Sequence, residues 1–141
     1  MANIIPFAFR GELLSGTHNF ANGGNSFKIA LYTGNPYGTG STAYLTAQEV
    51  SANNTGYTTA GKVLAGQAVV STGAVATVDF TDSTLTNATF TAAFAAIYND
   101  TNADKLCVVL DFGGNKTATN GTFTISFPNP STPANAIISM A

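Results

Sequence analysis

The sequence predicts an all-β fold: an antiparallel β-sandwich of jelly-roll type, with a short N-terminal arm or helix. Three observations point to it. Short runs rich in Val, Ile, Phe and Tyr alternate with Gly, Asn and Asp clusters at intervals of about 8–12 residues, the pattern of strands joined by turns. Charged residues make up only 9% of the chain, against about a quarter in ordinary domains, and polarity comes instead from Thr, Asn, Ser and Gly, a composition that strands and turns favour and that equally suits a surface packed against other proteins. Within residues 91–127, apolar runs at 94–98, 106–112 and 123–127 are separated by two polar clusters. The first holds Asn99, Asp100, Asn102 and Asp104, the second Gly113, Gly114, Asn115, Asn120 and Gly121, so the stretch reads as a three-stranded meander with two turns.

At 141 residues the chain reads as one domain over 1–141, with an arm or short helix over 1–15 and the sandwich over 26–141. Pro6 disfavours helix at Ile5, so residues 2–6 are extended. Phe9 and Leu13, four apart, share one face of a short helix over 7–14, which Gly16 ends. With Ile4, Ile5, Phe7, Phe9, Leu13 and Leu14 this segment is too apolar to lie in water, at about 1.5–3 kcal/mol for each large side chain buried. It either plugs the core or docks on a neighbour. Residues 22–25 form a turn. In 27–33, Phe27, Ile29 and Leu31 alternate with Lys28, Ala30 and Tyr32, a half-buried strand. Residues 34–42 and 51–61 are loops, and 44–50 fits a short strand or one helical turn equally. Runs at 63–71 and 74–80 flank Thr72-Gly73, a hairpin signal. Residues 84–94, broken at Asn87-Ala88, supply a short strand, and 136–140 a last one after the Pro-rich segment 128–133. No internal repeat is evident.

The chemistry is sparse. A net charge of −2 with five scattered basic residues, Arg10, Lys28, Lys62, Lys105 and Lys116, offers no nucleic-acid surface. No apolar run approaches the 18 or so residues of a membrane span. The first residues lack a secretory pattern, and one cysteine fits a reducing cytoplasm. The single histidine, His18, reads as a turn or surface residue, and Cys107 within Leu106–Leu110 as a core filler. Asp100 and Asp104 share a turn with Asn99 and Asn102 but lack calcium-loop spacing. No nucleophile, base and oxyanion site can be assembled, so neither an enzyme nor a cofactor is expected. Tyr37, Tyr44 and Tyr57 lie in or beside loops, where tyrosine serves either a partner or the loop's own base.

Several stretches carry a likeness to known proteins: Ala2-Asn3-Ile4-Ile5-Pro6, then Phe9-Arg10-Gly11-Glu12-Leu13-Leu14, and Gly16-Thr17-His18-Asn19-Phe20 running into Phe27-Lys28-Ile29-Ala30-Leu31-Tyr32. Gly56-Tyr57-Thr58, Val78-Asp79-Phe80, Ala95-Ala96-Ile97, Val109-Leu110-Asp111-Phe112-Gly113-Gly114 and Asn135-Ala136-Ile137-Ile138 continue it. Together they resemble a family of small virion proteins of tailed bacteriophages. The resemblance implies a non-enzymatic structural protein similar to capsid decoration, or cement, proteins. Such a protein is made in the cytoplasm of the bacterial host, assembles as a homo-oligomer, with a trimer favoured, and clamps subunits of the major capsid protein on the virion surface. Candidate interface residues are Ile4, Ile5, Phe7, Phe9, Leu13 and Leu14 of the arm, with Tyr37 and Tyr57 of the loops. On this reading, removing residues 2–14 abolishes shell binding and leaves the sandwich folded. A tail or fibre protein touching the host surface and a carbohydrate-binding sandwich are the alternatives.

Overall fold

Two long strands dominate the computed structural model, which describes residues 3–140. The expected extended start at Ala2 lies outside them. Helix α1 (Phe7–Leu14) is followed by β1 (Phe27–Tyr32), β2 (Lys62–Val63), β3 (Ala68–Thr72), β4 (Val75–Asp79), β5 (Ser83–Asn99), β6 (Lys105–Ile125), a 3-10 turn (Pro133–Asn135) and β7 (Ile138–Met140). One antiparallel sheet has the order β2-β1-β5-β6 and the other β3-β4-β7. Both sheets stay open, so the jelly-roll order expected from sequence is not established.

The helix begins after Pro6 and stops at Gly16, whose φ of 76° suits a residue without Cβ. There Gly16 N donates to Leu13 O and Thr17 N to Glu12 O, the paired bonds of a glycine-terminated helix. Phe9 is buried and Leu13 leans on the core beside it. The arm is tied down on its other side as well. Ile4 and Val109 exchange both backbone hydrogen bonds, at 2.9 and 2.8 Å, so residue 4 extends the β6 edge of the larger sheet. The hairpin expected at Thr72-Gly73 forms one residue on, with Thr72 opposite Val75 across Gly73-Ala74, but the run expected at 63–71 is split: Lys62–Val63 pairs with β1 in the larger sheet and Ala68–Thr72 alone enters the hairpin.

Three expectations need correcting. The second turn of the meander does not exist: β6 runs on through it and pairs with β5 along its length. Gly113, Gly114 and Asn115 lie in a large bulge, where residues 112–115 oppose Ala93 alone between the pairs Ala92–Lys116 and Phe94–Asp111, while Gly121 is paired with Ala88. A bulge of this kind bends a ribbon without ending it. Residues 84–94 and 94–98 are likewise one strand, with Asn87 at a bulge instead of a break. Finally, β1 is buried on both faces. Phe27, Ile29 and Leu31 join the apolar cluster shared with Val78 and Ile138 of the smaller sheet, while Ala30 and Tyr32 lie in a second cluster with Tyr37, Tyr98 and Val109. Loop 33–61, with no long element of its own, covers that second face, so alternation along β1 did not mean one wet side.

Candidate functional site

The arm residues divide sharply in exposure. Phe9 is 1% exposed, Phe7 61% and Leu14 86%, which follows from a helix docked along one side. Ile4 packs on the second cluster and Ile5 on the first. Arg10 lies over the Phe7 ring, 5.8 Å from its centre. Beside the end of the helix an open groove of about 240 Å³ has Leu13, Phe20, Val78 and Ile138 along it, and Val69 and Met140, both half exposed, also line it. Phe7, Leu14, Val69 and Met140 are thus large apolar side chains that the fold leaves uncovered.

Behind the helix sits a polar cluster that sequence reasoning missed. The His18 side chain is fully covered, not a surface residue. Its Nε2–H donates to Glu12 Oε2 at 2.8 Å, and Lys105 Nζ lies 3.0 Å from Glu12 Oε1. Asn99, itself fully buried, fixes the other ring nitrogen. Its Oδ1 accepts from Thr101 N and Asn102 N at 3.1 Å, so its amide nitrogen must face His18 Nδ1, at 3.0 Å. Burial would raise the Glu12 carboxyl, but hydrogen bonds from His18 and Lys105 and the Lys105 charge outweigh it and hold the group below its ordinary value. Cys107 Sγ lies 3.7 Å from His18 Nδ1, so thiol, imidazole and carboxylate stand in line as in a nucleophile–base–orienter set. The chemistry does not follow. The Nδ1 lone pair is already used by Asn99, and burial pushes the thiol well above its ordinary value, away from the reactive thiolate. The cluster staples residues 12–18 to the β5–β6 turn. Its only sequence signal was the concentration of Asn and Asp from 99 to 104.

Tyr37 and Tyr57, expected on loop surfaces, are 7% and 4% exposed. Glu49 explains Tyr57. It accepts from Tyr57 OH and Tyr44 OH at 2.6 Å and from Ala60 N at 2.8 Å, so a single carboxylate gathers both arms of the loop. Tyr37 accepts from Leu45 N at 2.9 Å and lies 2.6 Å from Tyr32 OH, which donates to Leu45 O at 2.7 Å. The Tyr37 proton therefore goes to Tyr32, and the chain of bonds closes on Leu45. Tyr98 OH donates to Ala60 O. Burial raises all five tyrosines. These hydroxyls anchor the loop to the sheet.

No group of three or more His, Cys, Asp or Glu side chains able to hold a metal ion occurs among the described residues, and no described helix is long and apolar enough to cross a membrane. Compared with protein-family models, curated proteins and solved structures, the chain matches none.

Proposed function

We propose that this chain is a structural protein of a bacteriophage particle. In this reading it decorates the capsid surface as a homo-oligomer, a trimer, and stabilises the shell by clamping neighbouring subunits of the major capsid protein, with no catalytic role. The two sheets, which share one apolar cluster, are read as the layers of a β-sandwich. The observation that carries the proposal is the uncovered apolar set at the arm: Phe7 and Leu14 stand in water on a helix whose other side is fixed in the core. Exposed large side chains of this kind mark contact surfaces. The sequence resemblance and the low charge support the same reading. A shell built of many copies needs only modest energy per contact, because symmetry multiplies it.

The interface is accordingly narrowed to Phe7 and Leu14, with Ile4, Ile5 and Leu13 partly buried against the core and Phe9, Tyr37 and Tyr57 used inside the monomer. The tail or fibre alternative drew on loop tyrosines, and their burial leaves nothing specific to favour it. Gold-labelled antibody on intact virions tests the proposal. Label over the whole head is expected. Label confined to the tail, or none on particles, would overturn it.

A further inference from the structure

The distal half of the β5–β6 ribbon holds a repeat that pairs with itself. Residues 84–91 read Thr-Leu-Thr-Asn-Ala-Thr-Phe-Thr and residues 117–124 read Thr-Ala-Thr-Asn-Gly-Thr-Phe-Thr, identical at six of eight positions. The register sets the first residue of each against the last of the other, Thr84 against Thr124 and Thr91 against Thr117, so a local two-fold axis relates them. Asn87 and Asn120 have φ of 51° and 46°, a conformation Asn tolerates, and each lies where its strand carries an extra residue. The extra residues fall at nearly the same level, so both strands resume alternation in step. Beneath lie Phe90 and Phe123, their rings 4.9 Å apart. Above stand two columns of four threonines, of which Thr86, Thr89, Thr117, Thr119, Thr122 and Thr124 are exposed and Thr84 and Thr91 partly so.

Folding does not require this surface. Outward positions on a ribbon need only be polar and tolerant of strand geometry, and charged residues, Lys above all, ordinarily guard an exposed edge. Neither octad contains a charge. Two strands of eight residues present a face of about 26 by 10 Å, about a third of the roughly 800 Å² per partner that a specific protein interface buries. It is too small to hold a protein alone, and with only two cations at its margins, Lys116 in the flanking groove and Lys62 on the Thr84 carbonyl, it carries no basic stripe for nucleic acid. A groove of about 380 Å³ runs beside it, where Phe112 and Lys116 accompany Thr117, Thr122, Thr124 and Ser126. A narrow face of hydroxyls that both donate and accept, itself uncharged and with an aromatic ring and one lysine at its edge, matches a linear polymer of the same chemistry.

We propose that this face binds an uncharged polysaccharide laid along the threonine columns, weakly per site and more firmly where many copies are displayed together. The site is independent of the arm surface and of any position on a particle. The test is native electrophoresis of the full chain through gels containing dextran, mannan, galactomannan or dextran sulfate. Retardation by at least one uncharged polymer is expected, with amide NMR shifts confined to 84–91, 117–124 and the groove residues Phe112, Lys116 and Ser126. The variant Thr86→Ala/Thr119→Ala/Thr122→Ala should weaken it about tenfold or more, since each lost hydrogen bond contributes modestly, while Thr46→Ala leaves it intact. Thr119→Lys, which alters the face without touching its core, should weaken it as well and serves if the triple variant is poorly folded. No retardation in any uncharged gel, retardation by dextran sulfate alone, or full binding by folded variants would overturn the proposal. Inhibition of ice recrystallisation without retardation would overturn it in favour of ordered water.

Discussion

Phe9→Ala separates an integral arm from a detachable one. Phe9 is 1% exposed, with its ring 5.0 Å from His18 and 6.1 Å from Phe20, and Phe20 in turn stacks on Phe27 at 4.3 Å. Truncation removes the ring's transfer energy and leaves a cavity that neighbours held by strands cannot close. The expected cost is about 3–5 kcal/mol, a large share of the roughly 5–15 kcal/mol of a whole domain. For a chain of this length that lowers Tm by roughly 10–20 °C. Phe7→Ala, two residues away and 61% exposed, should cost no more than about 0.5 kcal/mol. Urea melts followed by circular dichroism, with Phe7→Ala as internal control, give both numbers. A loss below about 1 kcal/mol for Phe9→Ala would refute the docked arm, because no well-packed Phe is removed that cheaply. The same logic revises the truncation experiment: removal of residues 2–14 takes out Phe9, the Ile4–Val109 bridge and Glu12, and should unfold the domain instead of freeing a sandwich.

Further outcomes follow from the loop layer. Gly61 has φ of 85°, and a Cβ there would run into the Ile29 carbonyl oxygen. Gly61→Ala should therefore cost more than about 2 kcal/mol and shift the urea midpoint without changing the slope. Glu49→Ala strips three donors of their acceptor and should cost about 3 kcal/mol, with loop 33–61 losing amide protection in hydrogen exchange before the sheets do. Above pH 10, near the ordinary tyrosine value, unfolded tyrosines ionise while the folded ones, raised by burial, resist. The unfolded state then binds fewer protons and stability falls as pH rises. Absorbance at the tyrosinate band should rise together with loss of ellipticity, and tyrosines that titrate independently of unfolding would contradict the buried cluster.

Local pattern was enough for elements whose partners lie nearby. The helix over 7–14, the strand at 27–32, the 72–75 hairpin and the Asn99–Asp104 turn all follow from periodicity and turn residues. What escaped depends on distant partners. Gly113-Gly114 looks like a turn until β5 is seen holding β6 on both sides of it. His18 looks like a turn residue because its partner Asn99 is 81 positions away. Tyr37 and Tyr57 look like loop surface because the acceptors that bury them, Tyr32 and Glu49, cannot be picked out from the other polar residues near them. The octad repeat is only eight residues long, with its copies 33 positions apart. Its meaning appears when the register lays one copy against the other.

The charges are few and several are taken up by partners within the chain, and this sets how the protein can meet a partner. Glu12 is occupied by His18 and Lys105, Glu49 by two tyrosines, Lys28 by Asp100 at 3.1 Å. Asp82 accepts from Phe127 N and Asp111 from Gly113 N. A surface of Thr, Asn, Gly and a few apolar side chains, with only scattered charges such as Arg10, Lys62 and Lys116, gains little from electrostatic steering, which depends on opposed patches of charge. Association must then rest on apolar contact and repeated hydroxyl contact, both of which salt barely screens. Binding to particles, measured by co-sedimentation, should therefore change less than about threefold between about 50 and about 500 mM NaCl, whereas a steered interface loses one or more orders of magnitude over that range. A steep salt dependence would mean that the few remaining charges, Arg10 beside Phe7 foremost, carry the contact and that the apolar reading of the arm is wrong.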